Sequence, residues 1–371
     1  PEQPAWAQHQ DRNQQQTAAA MLHDGPIKPT RMTDPFALPE SALADYLSQQ
    51  VPGFAGPLRA SKFKGGQSNP TYLIEAASGS YVLRRKPPGT LLASAHAVDR
   101  EFRVLSALAD TPVPVARPLH LCSDDSVIGS MFYLMSHVPG RIYWDPSLPE
   151  LTPAQRGAIF DEILRVLVAL HAVDVQSVGL GEYGRPGNYF ARQLKRWTEQ
   201  YRASEIERIE AMESLIGWLE AHVPEDDGAV ALVHGDWRID NLIFDAQMPT
   251  IRAVVDWELS TLGHPLSDLG YFCMALRLPR NPVIPGLAGI DRAELGLPSE
   301  AAIIARYAEL SGRQPQHWPF ILAFNFFRLA AIAQGVAKRA TQGNASNTRA
   351  EEVGRMVPVV AALGLAAANE G

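Results

Sequence analysis

Cysteine is nearly absent: the 371 residues hold two, Cys122 and Cys273, far apart and outside any metal-ligand spacing. That argues against a disulfide framework and reads as buried thiols in a reducing compartment. A basic excess is also missing. Lys and Arg number 33 against 40 Asp and Glu, a net charge of −7, which gives no support to non-specific nucleic-acid binding. No apolar run approaches the roughly 18 residues of a membrane span. The N-terminus carries Gln14, Gln15 and Gln16 and lacks the apolar core of a secretory leader; it starts at Pro1, as a processed or incomplete chain would. The expectation is a cytoplasmic protein whose partner is a small molecule, with no nucleic acid and no membrane. No internal repeat interrupts the chain.

A hydrophobic share of 46% with 20% charged residues suits a soluble globular protein with an ample core, and the length suggests two structural units. Residues 1–32 are polar and read as a flexible arm. A short helix is expected from Ser41 to Gln50. Strands follow at residues 60–63, 71–75 and 81–85, then a helix from Ala95 to Leu108 with Val98, Phe102, Leu105 and Leu108 on one face. Pro112, Pro114 and Pro118 mark a loop, and residues 131–135 a further strand. Thr152 caps a helix reaching His171, with Pro153 in its first turn. Further helices are expected at 188–203, 206–222, from a Ser267–Asp268 cap to Leu276, and near 299–311, 317–341 and 349–367.

The most informative stretch is His234-Gly235-Asp236-Trp237-Arg238-Ile239-Asp240-Asn241, followed by Asp256-Trp257-Glu258. Residues 230–233 read as a buried strand entering the loop, and 241–244 with 251–255 as a hairpin. Asp and Asn five residues apart, then an Asp fifteen residues on at a strand end, form the kit for phosphoryl transfer from ATP. Asp236 is the expected base for an acceptor hydroxyl. Asn241 and Asp256 are the expected Mg2+ ligands, since hard cations choose amide and carboxylate oxygens. His234 reads as a loop-holding residue, and Glu258 as a candidate near the metal. Asp268 reads as a helix cap and loop clamp.

Together with residues 63–69, 81–89 and 187–193, these motifs resemble the protein-kinase-like superfamily in its small-molecule branch. They are similar to aminoglycoside phosphotransferases and choline kinases, above all to a subgroup fused in animals to acyl-CoA dehydrogenase domains. The resemblance covers about residues 33–371. Gly235 stands where protein kinases have Arg, and Trp257-Glu258 where they have Phe-Gly.

The resemblance implies an α+β fold with two lobes: an antiparallel β-sheet N-lobe over residues 33–135, a hinge at 136–140, and a mainly α-helical C-lobe over 141–371. It implies phosphate contacts from the loop Gly65, Gly66, Gln67, Ser68 and Asn69, whose glycines let backbone N–H groups approach oxygen. Alignment of the third strand implies Arg84 as the phosphate cation, with Lys86 on the same face as the fallback and Glu101 as the partner of Arg84. Ser136, His137 and Val138 would meet adenine at the hinge. Asn188, Tyr189, Arg192, Trp197 and Arg238 are the substrate-side expectations.

The acceptor is read from charge. Residues after Arg313, and the helix carrying Arg192, Lys195, Arg196 and Arg202, are net basic, which suits an anionic substrate better than a polycation. The subgroup resemblance points the same way, to a hydroxylated acid or hydroxyacyl-CoA. The alternatives are an antibiotic kinase acting on aminoglycosides or macrolides, and a nucleotide-binding regulator without catalysis.

Overall fold

Alternation of side chains along three short strands builds the first layer. β1 (Leu58–Lys62), β2 (Thr71–Ala76) and β3 (Gly79–Arg85) run antiparallel, and β5 (Phe132–Ser136) and β4 (Pro118–Cys122) complete a sheet of order β1-β2-β3-β5-β4. The computed structural model describes residues 36–63, 69–87, 97–341 and 348–370, and all of the following lies within a compact unit beginning at Leu38.

Helix α1 (Glu40–Gln50) covers one sheet face, where Leu43 and Leu47 pack with Ile74, Leu83, Phe132 and Leu134. Helix α2 (Val98–Leu108) covers the other, where Val98, Val104 and Leu105 share a core with Tyr133. Because strand residues alternate faces, Leu83 goes to α1 and its neighbour Arg84 to α2. Arg84 is opposite Tyr133 in the β3–β5 pairing, so both side chains rise toward Glu101 on α2.

The stretch expected to be a loop after Pro114 contains β4. Pro118 is its first residue and β4 is an edge strand, a position where a missing N–H costs no ladder bond.

The second layer is helical. It holds α3 (Pro153–His171), α4 (Tyr189–Ser204), α5 (Glu210–Ala221), the pairs β6 (Ala231–Val233)/β9 (Thr261–Gly263) and β7 (Leu242–Phe244)/β8 (Ile251–Val254), then α6 (Leu266–Met274), α7 (Arg292–Leu295), α8 (Glu300–Ser311), α9 (Trp318–Thr341), α10 (Thr348–Arg355) and α11 (Val357–Ala368). A reciprocal capping box starts α3: Thr152 accepts from the Gln155 N–H, and Gln155 reaches back to the Thr152 N–H.

Several boundaries differ from the sequence reading, among them the start of α2 at Val98 instead of Ala95 and of α5 at Glu210 instead of 206. Asn188 is left-handed at φ 48°, so α4 begins one residue later. The single helix expected over 349–367 is two, separated at Met356; Pro358 cannot continue an upstream helix but suits the first turn of the next. Helix α6 has no side-chain cap, and Asp268 lies inside its first turn.

Helix α9 also corrects the reading of apolar runs. Its mean hydropathy of 1.6 over an 18-residue window makes it long and apolar enough to cross a membrane, with 83% of that window buried inside the protein. Asn325, Arg328 and Gln334 break the run by residue type without lowering its average much. It packs against α4, α5, α6, α10 and α11 as the central helix of this layer.

Candidate active site

Strand β6 delivers the chain to His234, which is fully buried. One neutral tautomer satisfies both ring nitrogens: Nε2–H donates to the Val255 carbonyl at 2.9 Å, and Nδ1 accepts the Asp236 N–H at 3.2 Å. His234 therefore ties the loop to the chain arriving at Asp256. Gly235 has φ +84°, and a Cβ there would lie 2.6 Å from the Leu259 carbonyl oxygen, so the position requires glycine.

Asp268 clamps this turn. Its Oδ2 accepts the His234 N–H at 2.7 Å and its Oδ1 the Gly235 N–H at 2.8 Å. Burial pushes the carboxyl up, but His171, His234 and the Gly235 N–H outweigh it and hold the group below the usual carboxylate range. Of the two roles expected of Asp268, the structure has the clamp and not the cap.

A 3-10 turn at Ile239–Asn241 folds Asn241 back on Asp236. The Asn241 Nδ2 donates to both the Asp236 carbonyl and Oδ2, each at 2.9 Å. The Asn241 carbonyl accepts the Val255 N–H at 2.9 Å, which brings the next residue, Asp256, alongside. Asp256 is left-handed at φ 68°, a sparsely populated region for a residue with a side chain.

Arg84 crosses from the sheet to meet it. Its Nη2 lies 2.7 Å from Asp256 Oδ1 and 3.4 Å from Glu258 Oε2, and its Nε lies 2.9 Å from Glu101 Oε2 without the alignment of a hydrogen bond. Glu101 is 2% exposed and accepts from Asn69 Nδ2 at 2.8 Å and Tyr133 O–H at 3.0 Å. Burial pushes the Glu101 carboxyl up against the pull of Arg84 and these donors. Lys86 points elsewhere, 4.0 Å from Asp99.

Other expected residues are distributed differently. Gly65, Gly66, Gln67 and Ser68 lie outside the described residues. Asn69 is buried and gives a side-chain N–H to Glu101, so this donor is turned into the protein. Ser136 bonds to Arg117 through both its N–H and its hydroxyl, and the His137 N–H lies 3.4 Å from the Ser80 carbonyl.

The five substrate-side residues do not converge. Asn188 and Tyr189 line a polar pocket with Asp226, Asp227, His264 and Arg313. Arg192 donates to the Arg185 and Pro186 carbonyls, and Trp197 is buried. Of the five, Arg238 lines a second pocket that includes Trp237 and Asp240 of the catalytic loop, and it pairs with Asp240. The basic surplus of α4 is also partly spent, since Arg202 pairs with Glu213.

Sequence reasoning missed this second pocket, walled by Trp144, Phe160, Trp237, Tyr271, Phe272, Leu276, Leu278, Ile284 and Leu287. It also missed Tyr271, whose phenol is pushed up by burial and by the Asp236 carboxylate. Arg328, counted in the basic surplus after Arg313, is buried; its place as a lone charge in an apolar stretch was the available signal.

The donor set suits a hard cation. Asn241 spends its amide N–H on Asp236, leaving the amide oxygen as acceptor, and Asp256 adds a carboxylate whose side chain is 34% exposed. Two carboxylates, an amide oxygen and a buried guanidinium thus lie close together where sheet and helices meet.

A mouse (Mus musculus) protein named acyl-CoA dehydrogenase family member 10 is 46% identical over 339 residues, covering 91% of this chain and 31% of that protein. The chain thus spans less than half the length of the curated relatives it matches. A solved structure from Ralstonia eutropha, provisionally assigned as an aminoglycoside phosphotransferase, is 47% identical with a TM-score of 0.82, covering 90% of this chain and 99% of its own. A thermostable variant of an aminoglycoside phosphotransferase, solved with AMP-PNP and hygromycin B, shares the kinase-like fold at 13% identity and TM-score 0.58, over 88% of this chain and 98% of its own. The profile of the phosphotransferase enzyme family matches residues 59–310, and the chain belongs to that family.

Proposed function

We propose that the protein transfers the γ-phosphoryl group of ATP, with Mg2+, to a hydroxyl of a small molecule, and that the acceptor is a hydroxylated acid or hydroxyacyl-CoA. The observation that carries the reading is that Asn241 bonds to Asp236, while Asp256, paired with Arg84, directly follows the Val255 N–H that donates to the Asn241 carbonyl. Asp236 orients the acceptor hydroxyl and takes its proton as the phosphoryl group leaves. Asn241 and Asp256 hold the metal, which supplies charge neutralisation on the phosphates. Arg84 holds phosphate oxygens while Glu101 keeps its guanidinium in register.

The acceptor class is supported by the pocket that includes part of the loop carrying Asp236. Its walls are aromatic and aliphatic, and its charged lining residues, Arg238 and Asp240, pair with each other. A polycationic sugar needs clustered carboxylates; an acyl chain gains from apolar walls. The name of the mouse relative, which refers to acyl-CoA chemistry, supports the same class.

The test is incubation with γ-labelled ATP and Mg2+ against hydroxyacyl-CoAs, free hydroxy acids, aminoglycosides and macrolides. Label is expected in a hydroxylated acid or its CoA ester, and Asp236→Asn is expected to lower that turnover by about 10²–10⁴-fold. Label confined to an antibiotic overturns the acceptor. Unchanged turnover in the Asn variant overturns the base.

A further inference from the structure

Arg328 lies midway along α9, the central apolar helix, and is 3% exposed. A buried guanidinium is costly unless it is well bonded, and an apolar side chain would suit this helix better for stability alone. Its bonding partner is a carbonyl: Nη2 donates to the Gly235 oxygen, 93 residues earlier. The guanidinium carbon stands 5.1 Å from the centroid of the Tyr271 ring and 5.9 Å from that of Trp197. Two aromatic rings therefore support a cation that reaches the catalytic loop from behind.

The Gly235 carbonyl and the Asp236 N–H are opposite edges of one planar peptide unit. Arg328 holds the oxygen edge and His234 Nδ1 the N–H edge. The preceding unit is held by its own N–H, bonded to Asp268 Oδ1. Glycine is the residue with the widest backbone freedom, and here the units on both sides of it are pinned. We infer that Arg328 is a positioning residue for Asp236: it fixes the peptide plane from which the Asp236 side chain departs. Gly235 has no side chain of its own to brace the loop, so the guanidinium comes from a distant helix.

The clamp is a statement about the loop; its catalytic consequence rests on Asp236 being the base. Two readouts separate these. In Arg328→Met, which keeps the volume and removes the donor, amide hydrogen exchange over residues 231–241 is expected to rise at least about tenfold, while sheet segments are unchanged. Affinity for MgADP is expected to stay within about threefold, and MgATP turnover per nucleotide-binding site to fall on the order of 100-fold. Arg328→Lys keeps a cationic donor but loses the planar fork, so it is expected to fall only about tenfold.

Wild-type exchange over 231–241 in Arg328→Met overturns the clamp. If that variant does not fold, Arg328→Lys decides, and wild-type exchange together with wild-type turnover overturns it. Raised exchange with unchanged turnover keeps the contact with the loop but overturns Arg328 as a positioning residue for Asp236, whereas loss of Asp236 as the base is read separately from Asp236→Asn.

Discussion

Arg84 and Asp256, 172 residues apart in the chain, meet at 2.7 Å. One is the penultimate residue of β3 and the other follows the hairpin after the His234–Asn241 loop. Their contact joins the two layers at the cleft, and Glu101 and Glu258 add negative charge on the same guanidinium.

Removing Arg84 separates its two roles. Arg84→Met leaves Glu101 buried without its cation and is expected to cost about 3–5 kcal/mol in urea unfolding. Adding Glu101→Leu should restore most of that stability. Neither variant should recover MgADP affinity in calorimetry; if the double variant does, Arg84 is structural only.

The metal assignment is read from nucleotide binding. Mg2+ should strengthen ADP binding to the native protein, and Asp256→Ala should reduce that gain by at least about tenfold. Without Mg2+ the two proteins should bind ADP alike. No effect of Mg2+ on the native protein would remove Asn241 and Asp256 as ligands.

Asp268 makes the clamp sensitive to acid. Its folded-state pKa is depressed, so its contribution is present above the unfolded value, about 3.9, and is lost as pH falls through the lower folded value. Asp268→Asn keeps one acceptor oxygen for two N–H donors and is expected to lose about 2–4 kcal/mol at pH 7. The gap between the two proteins should narrow below about pH 4. A gap that is constant from pH 7 to 3 would contradict this.

Gly235→Ala meets two obstacles, a left-handed backbone and a carbonyl oxygen 2.6 Å from the new Cβ. Backbone strain alone is worth about 1–3 kcal/mol, so thermal unfolding should move down clearly. Turnover should fall further than stability, because the Asp236 peptide must shift.

The apolar pocket is tested from its wall. Ile284→Arg is expected to raise KM for a hydroxyacyl acceptor at least about tenfold and leave MgADP affinity unaltered. An unchanged KM would detach this pocket from the acceptor.

Much of the site was legible because its parts are close in sequence or follow simple periods. Asp236 and Asn241 share one loop and one 3-10 turn, and the hairpin brings Asp256 next to them. The pairing of Arg84 with Glu101 was implied by the family resemblance of the third strand, and the structure has the two 2.9 Å apart. Asn69 was less legible: its donor faces Glu101 because the buried carboxylate needs partners. The β4 strand was hidden because Pro118 sits where an edge strand tolerates it. The substrate-side residues failed for a different reason: Arg192 satisfies two carbonyls beside its own helix, and Trp197 is covered by packing. Neither outcome has a local signature.

The sequence by itself determined the inner residues of the candidate site, since an Asp, an Asn and a second Asp at these spacings can be brought together by local turns alone. The tertiary structure decided what surrounds them. Only packing could bring Arg328 from the central helix to the Gly235 carbonyl, set Asp268 as a clamp instead of a cap, and wall a pocket with residues from 144 to 329. Each of these contacts spans tens of residues or more, and depends on which faces of helices and strands are buried against one another.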